Sequence, residues 1–250
     1  MQSDLIEVGG GRSKVRVYHG GKGEPLLYLH GAGGLLPEDP FLSKLSERYQ
    51  VHAPLLPGYE DSDGAENLRD MLDVTLHSFD VMDALGLRRP ILVGHSMGGM
   101  IAAEMAAVAP NEVERLVLIA SAGLWLDSAP IPDVFALLPY EWPNLLFHDV
   151  ALGTRLLTSG LDMEDPKFMT EFLILNAKRL GMAGKLLFPV PDRGLSDRLY
   201  RVKARTLLIW GDADRLVAPA YGEAFRAQIK GADLIRIAGA GHMVGYEKPD

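Results

Sequence analysis

Four short stretches hold residue types that could perform acyl transfer if the fold brought them together. In "ILVGHSMGGM", Ile91 to Met100, Ser96 stands between glycines at the end of an apolar run. A serine nucleophile on a tight strand-to-helix turn needs that spacing, because small neighbours leave its hydroxyl exposed. A hydroxyl there is also a good helix N-cap, so the motif is informative only with partners elsewhere. The base is expected late in the chain, and "AGAGHMVGYEKPD" supplies His242 on a glycine-rich loop. "LLIWGDADRLVAP" offers Asp212 and Asp214 to orient that imidazole and stabilise its charged form. Asp214 is preferred because it lies further into the loop and can turn back over the strand ends, while Asp212 could instead cap a turn. Donors for a developing oxyanion are expected from the backbone of Met97, after the serine, and of Ala32 or Gly33 in "LYLHGAGGLL".

Such residues must sit at strand ends, and the chain has suitable strands. Apolar runs recur near Pro25, Tyr49, Pro90, Arg115, Arg205 and Ala232, many separated by helix-like segments. That alternation predicts an α/β fold with a mostly parallel central sheet, helices on both faces, and ligands at the carboxyl ends of the strands. The run from Leu68 to Leu85 predicts a helix burying Leu68, Met71, Leu72, Leu76, Phe79, Met82 and Leu85. "SKVRVYHGGKGEPLLYLH" predicts two antiparallel strands joined at Gly20 to Gly23. Strand signals vanish between about Leu124 and Pro191, too long a gap for a plain connection. An inserted helical cap at 124–191 is expected, with the core at 1–123 and 192–250. Trp125, Leu138, Trp142 and Met243 are candidates for the substrate pocket, and Leu124, Phe135, Phe147, Leu186 and Phe188 are further apolar candidates for its roof.

Composition narrows the partners. A formal charge of -8 argues against a nucleic-acid backbone, and the absence of cysteine excludes thiol catalysis and disulfides. "GAGG" lacks the dinucleotide-binding spacing, and no segment makes a Walker motif. No apolar run is long enough to cross a bilayer. A cytoplasmic protein with a small-molecule partner and no Cys-ligated metal is the expectation.

In order, "HGAGG", "PLLPGYEDSD", "GHSMGG", "WGDADRLVAP" and "GAGHMVGYEKPD" resemble the oxyanion loop, proline-glycine turn, nucleophile elbow, acid loop and histidine loop of the alpha/beta-hydrolase fold family. The resemblance implies a Ser96-His242-Asp214 triad, a cap after the sixth strand and no cofactor. Two departures stand out in the turn, where Leu55 occupies a usual aspartate place and Glu60 a usual glycine. Members usually continue past "YEKPD" with a final helix; the alternatives are a protein shorter than its relatives, a tail beyond Asp250, or a partner subunit over that face, and of these a homodimer is the preferred expectation. The resemblance to the serine-nucleophile branch implies hydrolysis of small-to-medium, largely apolar carboxylic esters through an acyl-enzyme. The alternatives are carbon-carbon bond hydrolysis of ring-fission diketones and non-catalytic binding of a small molecule. Ring-fission enzymes typically have asparagine before the nucleophile and tryptophan after the histidine, where this chain has His95 and Met243.

Overall fold

A computed structural model describes residues 1–36, 38–158, 165–188, 190 and 192–249. Eight strands form one sheet: β1 (Gln2–Val8), β2 (Ser13–Gly20), β3 (Glu24–Leu29), β4 (Tyr49–Pro54), β5 (Ile91–His95), β6 (Arg115–Ile119), β7 (Arg205–Gly211) and β8 (Asp233–Ile237). Their order is β1-β2-β4-β3-β5-β6-β7-β8. From β4 to β8 all neighbours are parallel, while β1-β2 and β2-β4 are antiparallel. The helices are α1 (Pro40–Leu45), α2 (Met71–Ala84), α3 (Met97–Val108), α4 (Trp142–Leu146), α5 (Val150–Leu157), α6 (Pro166–Leu187), α7 (Ala220–Gln228) and α8 (Val244–Glu247). This is the alpha/beta-hydrolase fold with an inserted helical region.

Central strands are buried on both faces, which is why they read as continuous apolar runs. All five residues of β5 are buried, as are the first eleven of α3 behind it. Aspartate caps open the flanking helices: Asp70 accepts from the Asp73 N–H, Asp149 from Leu152 and Asp165 from Lys167. β4 and β5 lie on opposite sides of β3, so the chain reverses its direction of winding there. Such a switch point opens a crevice at the strands' carboxyl ends.

Two expectations are corrected. β2 and β3 do not pair, because β4 lies between them; β2 pairs instead with β1, across the turn of Gly9, Gly10 and Gly11. The connection at Gly21 is steric in origin: a Cβ there would lie 2.2 Å from the Tyr49 carbonyl oxygen. In α2, Leu72 and Leu76 are exposed, and the buried face instead includes Val74, His77, Ser78 and Val81. Val81 packs with Val8, Val15 and Val17 of the β1-β2 hairpin, and that contact rotates the buried stripe away from Leu72 and Leu76.

Between β6 and β7 there is no strand among the described residues, only α4, α5, α6 and short 3-10 turns. The expected insertion, 124–191, falls on these helices, with 159–164, 189 and 191 outside the described residues. Leu124, Met182, Ala183 and Leu186 belong to the main core, so the insertion is packed into the body of the fold. Among the described residues no helix is long and apolar enough to cross a membrane.

Candidate active site

Ser96 follows β5 directly and occupies the N-cap position of α3, yet its side chain makes no capping hydrogen bond. Its backbone is at φ 55°, ψ -116°, a conformation that costs a serine about 1–3 kcal/mol. The glycine spacing has a steric cause. A Cβ on Gly94 would lie 2.3 Å from the Gly98 carbonyl oxygen, and one on Gly98 would lie 2.0 Å from that of Leu29. The turn is held by the Ser96 N–H donating to Ile119 O at 2.9 Å and by Ser96 O accepting from Ala122 at 3.0 Å. An ordinary cap needs neither the strain nor the bare glycines.

His242 is buried, and its Nδ1 lies 2.9 Å from Asp214 Oδ2. The other Asp214 oxygen accepts from the backbone N–H groups of Leu216 at 2.9 Å and Val217 at 2.8 Å. This fixes the carboxylate and places the proton on Nδ1, leaving Nε2 as the basic nitrogen. Asp212 is elsewhere: it forms a surface ion pair with Arg236 at 2.6 Å.

Ser96 and His242 share one cavity of about 380 Å³ with the Gly31 to Gly34 loop. Among the described residues the N–H groups of Ala32 and Gly33 have no acceptor. Met97 opens α3, so its N–H has no intrahelical partner either. Three backbone donors are thus free, one on the residue after the serine and two on the loop that shares its cavity. The carbonyls of their loop are held from outside: Gly31 O by His30 Nδ1 at 2.7 Å, and Ala32 O by the Tyr59 hydroxyl at 2.9 Å. His30 Nε2 accepts from the Leu56 N–H at 3.0 Å, which defines its neutral tautomer. Burial lowers the pKa of His30 to about 4, with a further push from the Arg179 charge.

His95 was legible only as the residue before the serine. In the structure its ring lies 5.0 Å from that of His242, and its Nε2 donates to the His242 carbonyl at 3.0 Å. Burial first, and then the neighbouring His242, push its pKa down to about 3, so it stays neutral. It supports the histidine loop through that bond and itself lines the cavity.

The cap supplies the cavity's far wall: Phe168, Phe172, Leu175 and Leu180 beside the polar Glu171 and Asn176. Of the four expected pocket residues, Trp142 and Met243 line it, but Trp125 and Leu138 do not. Trp125 turns its indole N–H to Asp127 at 2.9 Å, and Leu138 is 52% exposed on the outside of the cap. Phe135 also lines the cavity, whereas Leu124, Phe147 and Leu186 are buried away from it and Phe188 is exposed. A hollow of about 580 Å³ at the sheet edge, lined by Met1, His19 and Ser43 among others, contains none of these groups. Among the described residues no cluster of three or more His, Asp or Glu is arranged to hold a metal ion.

The sequence profile of the alpha/beta hydrolase family matches residues 26–250. The chain belongs to that family. Within it, the chain is 28% identical over 240 residues to Lipase 1 of Psychrobacter immobilis, covering 91% of this chain and 74% of the lipase. It is 27% identical over 270 residues to the 2-hydroxy-6-oxo-6-phenylhexa-2,4-dienoate hydrolase of Burkholderia cepacia, covering 98% and 91%. Among solved structures, a bacterial membrane phospholipase A superposes with a TM-score of 0.81 at 24% identity, covering 100% of this chain and 82% of that one. That likeness speaks to the fold. Family and fold are consistent with a serine hydrolase.

Proposed function

We propose that Ser96, His242 and Asp214 act as a catalytic triad and that the bond cleaved is the carbon-carbon bond beside a carbonyl in a ring-fission diketone. The observation that carries the triad is the strained, uncapped Ser96 that lines one cavity with an Asp214-held imidazole and with the loop of Ala32 and Gly33, whose N–H groups are free. In this reading His242 Nε2 takes the Ser96 proton as Oγ bonds to the carbonyl carbon. The oxyanion is received by the N–H groups of Met97, Ala32 and Gly33. Collapse re-forms the carbonyl and expels the carbon leaving group, whose electron pair is spread through the conjugated chain and captured by the proton on His242. Water activated by the same imidazole then releases the acyl group from Ser96.

The choice of bond is supported by the extent of the match to the dienoate hydrolase, which covers 98% of this chain and 91% of that protein. Ester hydrolysis is the second reading. His95 and Met243 favour it, standing where ring-fission enzymes typically have asparagine and tryptophan, as does the apolar cavity wall. Both readings share one acyl-enzyme, so the first control is loss of turnover in Ser96→Ala. A non-catalytic binding protein would show no turnover to lose. Comparing kcat/KM for a dienoic ring-fission product and for p-nitrophenyl butyrate then tests the bond. A preference for the diketone of about a hundredfold, roughly 2.7 kcal/mol, is expected. An equal preference for the ester would assign the site to ester chemistry.

A further inference from the structure

Arg179, in the middle of the cap helix α6, reaches across the cavity to the loop that carries the oxyanion donors. Its Nη1 donates to the Gly33 carbonyl at 2.8 Å. Its Nη2 pairs with Glu60, in the turn after β4. Its Nε is buried against Gly34 with no partner of its own. The pair is well enclosed, with side-chain exposures of 13% for Arg179 and 27% for Glu60.

The consequence follows from peptide planarity. Fixing a carbonyl fixes the direction of the N–H that follows it. The Gly31 and Ala32 carbonyls, held by His30 and Tyr59, thereby aim the Ala32 and Gly33 N–H groups. The Gly33 carbonyl governs the Gly34 N–H, which donates back to Gly31 O at 3.0 Å and closes the turn. His30 and Tyr59 belong to the core; Arg179 alone of the three comes from the cap. Glu60 has φ 45°, a conformation favouring glycine. The carboxylate it carries there is the one that fixes Arg179.

We infer that Arg179 and Glu60 form a clamp through which the seated cap orders the oxyanion loop, which makes Arg179 a positioning residue for catalysis. The inference rests on the triad reading above. A pair that merely anchored the cap would affect stability or substrate affinity; a pair that shapes the oxyanion loop affects turnover.

The test measures kcat and KM on whichever substrate the wild-type protein turns over faster, and the inhibition constant of a trifluoromethyl ketone, which forms a tetrahedral adduct. Arg179→Met should lower kcat by about tenfold or more, short of the ~10² to 10³ typical for removing a donor itself, with KM within about threefold. The inhibition constant should rise in parallel. Arg179→Lys keeps the charge but not the fork and should fall between, and Glu60→Gln should show a smaller loss in the same direction. Persistence of turnover in Ser96→Ala would overturn the triad reading, whatever Arg179 does. With Ser96→Ala inactive, a folded Arg179→Met protein with wild-type kcat, or one impaired only through KM, would overturn the clamp. If Arg179→Met does not fold, wild-type kcat in both Arg179→Lys and Glu60→Gln overturns it equally.

Discussion

Replacing Asp214 by asparagine is expected to lower turnover by about 10³ to 10⁴-fold, since an amide facing His242 Nδ1 favours the wrong imidazole tautomer. Asp212→Asn should leave kcat within about twofold, because Asp212 only pairs with Arg236 on the surface. Steady-state kinetics on one substrate check both; comparable losses would contradict the assignment of the acid. The residues making this contrast were legible because each is a chemically distinctive type just past a strand, on a loop with glycine. Arg179 was not. Its partners Gly33 and Glu60 lie 146 and 119 residues away, and nothing in "LNAKRLGMAG" separates it from an ordinary helix-surface arginine. His95 was also opaque, since its role is to donate to a carbonyl 147 residues on.

At the scale of elements, α2 shows what periodicity can and cannot supply. The helix was readable, but its apolar residues spread around too wide an arc to say which ones the β1-β2 hairpin would cover. β1 itself went unread because most of its residues are exposed. The corrected face makes a prediction through His77, which is buried with Nε2 unpartnered. Burial lowers its pKa from 6.5 to about 4. Below pH 6.5 the unfolded chain takes up a proton that the folded helix refuses until about pH 4, so stability present above that window is lost as the pH falls through it. His77→Gln carries no such proton. Denaturant titrations from pH 7.5 to 4 should show the wild type losing up to roughly 3 kcal/mol more than the variant. Parallel slopes would mean that His77 is protonated within the fold. By contrast, Leu76→Lys on the exposed face should change stability by no more than about 0.5 kcal/mol.

At the scale of the molecule, the candidate site lies between two layers: strand ends of the core hold the proposed triad, and the cap holds the far wall. The sequence revealed the cap as a break in the strand-helix alternation. It could not say which apolar side chains face inwards, because that depends on how α6 is seated and not on any local pattern. The inward set, Phe172 and Leu175 with Trp142, should therefore govern substrate size, and the outward Leu138 should not. An apolar pocket discriminates by only about 1–3 kcal/mol per methylene, so Leu175→Trp should shift the preferred acyl length by one or two carbons and reduce kcat/KM on the longest substrates by about 10- to 100-fold. Leu138→Trp, made in parallel, should leave the length profile unchanged. The measurement is kcat/KM across a homologous series. A redistribution caused by Leu138→Trp, or none by Leu175→Trp, would mean that substrate enters by a path outside this cavity and that the cap sits differently over the core during turnover.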